Sequence, residues 1–126
     1  RTDMSWWRRL TGRAEGPRRR VDPGTAASMQ REGAILLDVR EQSEWSAGRA
    51  PKARHIPLSQ LGGRMREMPR DAAILTICRS GARSSRAAHQ LRTAGFTVVN
   101  VSGGMSAWQR SGLPVVASGG RPGRVV

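Results

Sequence analysis

The stretch "AAILTICRSGARSSRAAHQLRTAG", residues 72–95, passes from an apolar run through a polar turn into an amphipathic segment. Residues 72–77 are apolar apart from Thr76, the pattern of a short strand buried on both faces. From residue 84 the period changes. Ala87, Ala88, Leu91 and Ala94 share one helical face, Arg86, His89, Arg92 and Thr93 point away from it, and Gly95 ends the segment. The only cysteine of the chain, Cys78, stands at the junction.

The same alternation extends on both sides. "AILLDV" (34–39) and "TVVNV" (97–101) read as two more buried strands. Helices are expected over 25–33, closed by Gly33, over 59–68, weakened by Gly62 and Gly63 before a break at Pro69, and over 104–112. Strands alternating with helices imply parallel pairing and a layered α/β domain. Each apolar run ends in residues that a core would not select: Asp38 and Arg40, Cys78 and Arg79, Ser102 and Gly103. Parallel strands bring those ends to one edge, where open α/β sheets bind ligands.

Length and composition set the frame. The 126 residues suffice for one domain with a core and not for two ordinary ones. No apolar run approaches bilayer length, and "RTDMSWWRRLTG" lacks the apolar centre of a signal peptide. A single cysteine forms no internal disulfide, so the cytoplasm is the expected compartment. Residues 1–23 carry seven arginines against three acidic residues and read as a flexible basic segment, with "SWWRRL" held loosely at most. Residues 24–117 read as the folded domain, and 118–126, with Arg121 and Arg124, as a flexible tail. The net charge of +13 is almost entirely arginine, Lys52 being the one lysine. Such a surface raises encounter rates with anions in general.

The turn after Cys78 is a piece of chemistry. A cysteine between a strand and a helix lies near unpaired N–H groups and the positive end of the helix dipole. These favour the thiolate, as do Arg79 and Arg83, and comparable settings bring cysteine pKa values into the range of roughly 3.5–7.5. Gly81 lets the chain curl so that the N–H groups of residues 79–84 face inward as an anion nest. Arg79, Ser80, Gly81, Ala82, Arg83 and Ser84 are therefore the expected anion-binding residues around a nucleophilic Cys78. A buried cysteine acting as a small hydrophobe is the plainer reading. It leaves the "RSGAR" that follows without a purpose.

Several pieces together resemble a single rhodanese domain over about residues 25–117: "LLDVREQSEW", "GRAPKARHIPL", "CRSGARS", "VSGGMSAW" and then "GLPV", in that order. The resemblance implies a three-layer α/β domain with a parallel sheet of about five strands flanked by helices. It also implies a sulfurtransferase that forms a persulfide on Cys78 and passes sulfur from thiosulfate or a related donor to a thiophilic acceptor. Arg49 and Lys52 replace the usual His and Gly of their segment, and Ala82 stands where the loop often has Asn. Glu44 occupies the position of a further Arg found in larger two-domain members. The last two departures bear on donor preference.

The remaining candidates are supporting residues. Asp38 is expected either to orient Arg79 through a charge-assisted hydrogen bond or to cap the following turn. Arg40 and Glu44 are expected to brace the edge of the site. Trp45 and Trp108 read as core or rim aromatics. The serines of the loop read as hydrogen bonders, since no base stands ready to activate them. His55 and His89 lie on different elements without a carboxylate beside them, so no metal site is expected, and no nucleotide-binding glycine pattern implies a cofactor. The expected partners are a small sulfur donor and a thiophilic acceptor. The basic ends suit an acidic protein partner better than nucleic acid, and nothing points to a membrane. Two alternatives stay open, a Cys-dependent phosphatase or arsenate reductase on a related scaffold and a non-enzymatic rhodanese-like binding module. The first uses five residues between its Cys and Arg, and here Arg83 follows Cys78 after four.

Overall fold

A computed structural model describes residues 19–126, so the expectation for "SWWRRL" lies outside the described residues. A five-stranded parallel sheet runs in the order β1-β5-β4-β2-β3, with β1 at Arg20–Val21, β2 at Ile35–Asp38, β3 at Arg54–His55, β4 at Ile74–Ile77 and β5 at Val98–Val101. Helices α1 (Pro23–Arg31), α2 (Gln42–Ala47), α3 (Leu61–Arg64) and α4 (Ala82–Thr93) connect successive strands, and α5 (Gly104–Arg110) follows β5. This is the expected α/β architecture.

The two-residue period of the strands sorts their side chains onto two faces. In β4, Leu75 and Ile77 join Leu36, Val99, Val101, Met29, Met105 and Trp108 in one core, beneath α1 and α5. Ile74 and Cys78 join Leu37, Val98, Phe96, Ala87, Ala88 and Leu91 in the other, beneath α4. Cys78 therefore emerges on the face that α4 covers, at the end where α4 begins. Ser84, Ala87, Ala88 and Leu91, at successive helical turns, form the buried stripe that holds α4 there. The chain turns back after it through Gly95, and the Phe96 amide donates to the Leu91 carbonyl.

Local sequence accounts less well for the shorter elements. The expected helix over 59–68 is broken into a 3₁₀ turn at Leu58–Gln60, the four-residue α3, and a second 3₁₀ turn at Met65–Glu67. Two adjacent glycines carry too high an entropic cost to sustain a longer helix. Helix α2 has no buried residue and so leaves no periodic apolar signal; the Glu44 carboxylate caps it by accepting from the Glu41 amide at 3.0 Å. Strand β1 precedes the domain boundary placed at residue 24, and Asp22, also before it, caps α1 by accepting from the Thr25 amide at 2.7 Å.

At the other end the residues read as a flexible tail are folded back on the domain. The Gly123 amide donates to the Val115 carbonyl, the Arg124 amide donates to the Ala47 carbonyl, and Val125 packs against the first core. Main-chain bonds, which composition does not register, tie this segment down. Among the described residues no helix is long and apolar enough to cross a membrane.

Candidate active site

Cys78 is buried, and its sulfur sits in a cradle made by the turn that follows. Sγ accepts hydrogen bonds from the Gly81 amide at 3.1 Å, the Ser84 amide at 3.3 Å and the Ser84 hydroxyl at 3.2 Å. The curl depends on Gly81, whose φ of 118° lies in the region that side chains rarely adopt. Burial alone would raise the thiol pKa. The Ser84 hydroxyl and the amides of Ser84, Gly81 and Ser80 outweigh it, and the net shift is downward, toward thiolate. The Ser84 hydroxyl is also 3.3 Å from the Gly81 carbonyl. It has one proton, so the bond to sulfur strengthens as the sulfur gains charge.

The loop is gripped from behind as well. Amides at the start of α5, Met105 and Ser106, donate to the carbonyls of Cys78 and Arg79 at 2.7 and 3.0 Å. That approach requires Gly104, at φ 58°, because a Cβ there would overlap the Cys78 carbonyl oxygen and lie 2.6 Å from the Arg79 carbonyl. On the α4 side Asn100 bridges sheet and loop. Its amide donates to the Gly81 carbonyl at 3.3 Å while its oxygen accepts from the Thr76 hydroxyl at 3.2 Å. Asn100 does not stand out in the sequence, and the quoted "VSGGMSAW" segment does not reveal that its Gly104 meets the loop, since both partners are distant along the chain.

The other expected site residues divide. Arg79, Ser80 and Ala82 are exposed at the mouth, and the Arg79 side chain forms no ion pair among the described residues. Arg83 instead has its fork engaged by Glu44, at 2.7 and 2.8 Å. The bidentate bond from Arg83 is the main cause holding the Glu44 carboxyl down at about 2. Its contribution to stability is complete above the ordinary carboxyl value near 4.5 and is lost as pH falls through about 2. The same pairing raises the Arg83 guanidinium further.

Asp38 does not orient Arg79. It lies on the opposite face of the sheet from Cys78, in step with Leu36, and its buried carboxylate is taken by Arg40. Arg40 Nη2 donates to Asp38 Oδ2 at 2.7 Å, its Nε donates at 3.0 Å, and the Arg40 amide adds a bond to Oδ1 at 3.0 Å. A residue two places along lands on the same face and reaches the carboxylate first. Arg40 also donates to the carbonyls of Gly48 and Glu44, so the pair anchors the turn that carries Glu44. His55 donates to the Arg40 carbonyl at 2.7 Å and stacks on Trp45, and the Arg49 guanidinium also lies over the Trp45 ring. Trp45 is thus a rim aromatic, whereas Trp108 is core, donating to the Pro114 carbonyl.

Replacing Ser84 by alanine removes one of the three bonds to sulfur. A hydrogen bond to a charged group is worth about 1.5–3 kcal/mol, so the thiol pKa should rise by about one unit or more. The pH dependence of alkylation by iodoacetamide checks this. Its midpoint should move up, and an unmoved midpoint would mean the hydroxyl serves only the Gly81 carbonyl.

The geometry agrees with sequence comparisons. Residues 22–111 match the rhodanese-like domain family. A protein of Allochromatium vinosum named sulfurtransferase is 41% identical over 90 residues, covering 71% of this chain and 84% of that protein. The putative sulfurtransferase YtwF of Bacillus subtilis is 40% identical over 83 residues, 66% of this chain and 81% of the relative. The crystal structure of a rhodanese-related protein from Thermoplasma volcanium superposes with a TM-score of 0.74 at 31% identity, covering 79% of this chain and 98% of that one. With a Cys-centred loop at the carboxyl edge of a five-stranded parallel sheet, and with these relatives, the chain belongs to the rhodanese-like domain family.

Proposed function

We propose that this protein is a sulfurtransferase that carries sulfane sulfur as a persulfide on Cys78. The observation that carries the reading is the convergence of two amides and a hydroxyl on Sγ, which favours the thiolate in an otherwise buried position. Relatives named sulfurtransferase at about 40% identity support it.

With thiosulfate as donor, the Cys78 thiolate attacks the outer sulfur. A new S–S bond forms, the old one breaks, and its electron pair leaves on sulfite. An acceptor such as cyanide then attacks the terminal sulfur, departs as thiocyanate, and returns the Cys78 thiolate. Charge is conserved in both steps. The amides of Ala82 and Arg83, in the first turn of α4, have no carbonyl partner among the described residues and suit the terminal sulfur or the donor's oxygens.

Intact mass spectrometry tests the proposal. After thiosulfate the protein should gain the mass of one sulfur atom, located by peptide mapping at Cys78, and cyanide should remove it. No gain with thiosulfate or with an organic persulfide would overturn the reading. Turnover of aryl phosphates faster than sulfur transfer would replace it with the phosphatase alternative.

A further inference from the structure

The exposed side of α4 carries Arg86 and Arg92 and no acidic residue. Between α4 and the β1–β5 edge lies a cleft of about 630 Å³ lined by Arg19, Arg20, His89, Arg92, Asn100 and Ser85 among others. On the outer side of α4, a shallower one of about 620 Å³ is lined by Ala82, Ser85, Arg86, His89, Gln90 and Thr93. The two share Ser85 and His89, and the second reaches the catalytic loop at Ala82. No Asp or Glu lines either cleft among the described residues.

Such a cluster is costly to leave uncompensated. Arg92 is held in place by the carbonyls of Val98 and Arg19 at 3.2 and 3.3 Å, not by a carboxylate. Burial, and then the charge of Arg19, pull its guanidinium below the ordinary value. The carboxylate nearest the catalytic loop in bonding terms, Glu44, is already occupied by Arg83. With Arg83 neutralised, the positive charge beside the mouth is that of Arg79 in the loop, Arg86 and Arg92 on α4 and Arg20 on β1, spread over an area far wider than a small anion needs.

Resting on the sulfurtransferase reading, we infer that this face docks an acidic protein, whose carboxylates meet Arg20, Arg86 and Arg92. The partner's cysteine thiolate attacks the terminal sulfur of the Cys78 persulfide, becoming a persulfide itself as the S–S bond to Cys78 breaks and the Cys78 thiolate leaves. Charge complementarity selects the partner and speeds its encounter. Asn100 lines the larger cleft and also bonds the Gly81 carbonyl, so the docking face and the catalytic loop share one side chain.

The test uses two synthetic cysteine peptides, one rich in glutamate and the other its glutamine counterpart. Sulfur loading by thiosulfate or by an organic persulfide, and discharge to cyanide, are measured first on the full chain. Failure there refutes the sulfurtransferase reading and leaves docking to be judged from binding. Binding is followed by fluorescence anisotropy with versions of both peptides in which serine replaces cysteine. At low salt the acidic peptide should bind, and take sulfur from the loaded protein, about tenfold or more better than the neutral one. The advantage should vanish near 1 M salt, where the Debye length is about 3 Å.

In a variant carrying Arg20→Glu and Arg86→Glu the advantage should be lost, with discharge to cyanide unchanged. Equal behaviour of the two peptides at low salt, or an advantage that survives in this variant, would overturn the inference. So would displacement of the acidic peptide by a single-stranded oligonucleotide at concentrations well below those needed with polyglutamate, which would assign the face to nucleic acid.

Discussion

Replacing Cys78 by serine should abolish sulfur loading and transfer while leaving the fold in place. The serine hydroxyl has no accessible anionic form near neutral pH and cannot hold a persulfide, so the two-step route has no first intermediate. The hydroxyl is nevertheless well received structurally. It accepts from the same Gly81 and Ser84 donors, so unfolding free energy should change by only about 1 kcal/mol. Intact mass after thiosulfate and the rate of thiocyanate formation are the measurements. Thiocyanate production by Cys78→Ser above the uncatalysed rate would remove Cys78 from the reaction.

A larger effect on stability is expected at Arg40, which is fully buried against Asp38. The Asp38 side chain is fully buried too, and every bond that satisfies the carboxylate comes from Arg40. Arg40→Ala would leave Asp38 as an uncompensated buried charge, which costs about 3–5 kcal/mol. Small domains are stable by only about 5–15 kcal/mol, so much of the folded margin is at stake. Urea unfolding should show a fall in midpoint at unchanged slope. Lysine at this position should rescue little, since a single ammonium cannot reproduce the fork that also reaches the Gly48 and Glu44 carbonyls. A double variant, Asp38→Asn with Arg40→Met, should be more stable than Arg40→Ala, because it removes both charges together. A cost below about 1 kcal/mol for Arg40→Ala would show that the pair is dispensable.

Arg40 also marks where the sequence stops being informative. The alternation of apolar runs and amphipathic helices, the parallel sheet, and the position of Cys78 between β4 and α4 are all written in residues close together in the chain. Periodicity and a glycine at a turn are local signals, and a strand followed by a helix leaves the intervening thiol little choice of surroundings. The donors to its sulfur, at residues 81 and 84, are local too.

What only the tertiary structure decided were partners set by face and by distance. Asp38 turned to Arg40 and not Arg79 because the pleat places it on the α1 side of the sheet, a parity that a run such as "LLDVR" does not announce. Arg83 found Glu44, 39 positions away in the sequence, and Gly104 met the Cys78 carbonyl from the start of the helix that follows β5. The two-residue strands β1 and β3 pair only because β5 and β2 offer them edges, and the last residues fold back through main-chain bonds. Charge alone cannot name its counter-charge. Burial, strand parity and the order of strands in the sheet do that, and these exist only once the chain has closed on itself.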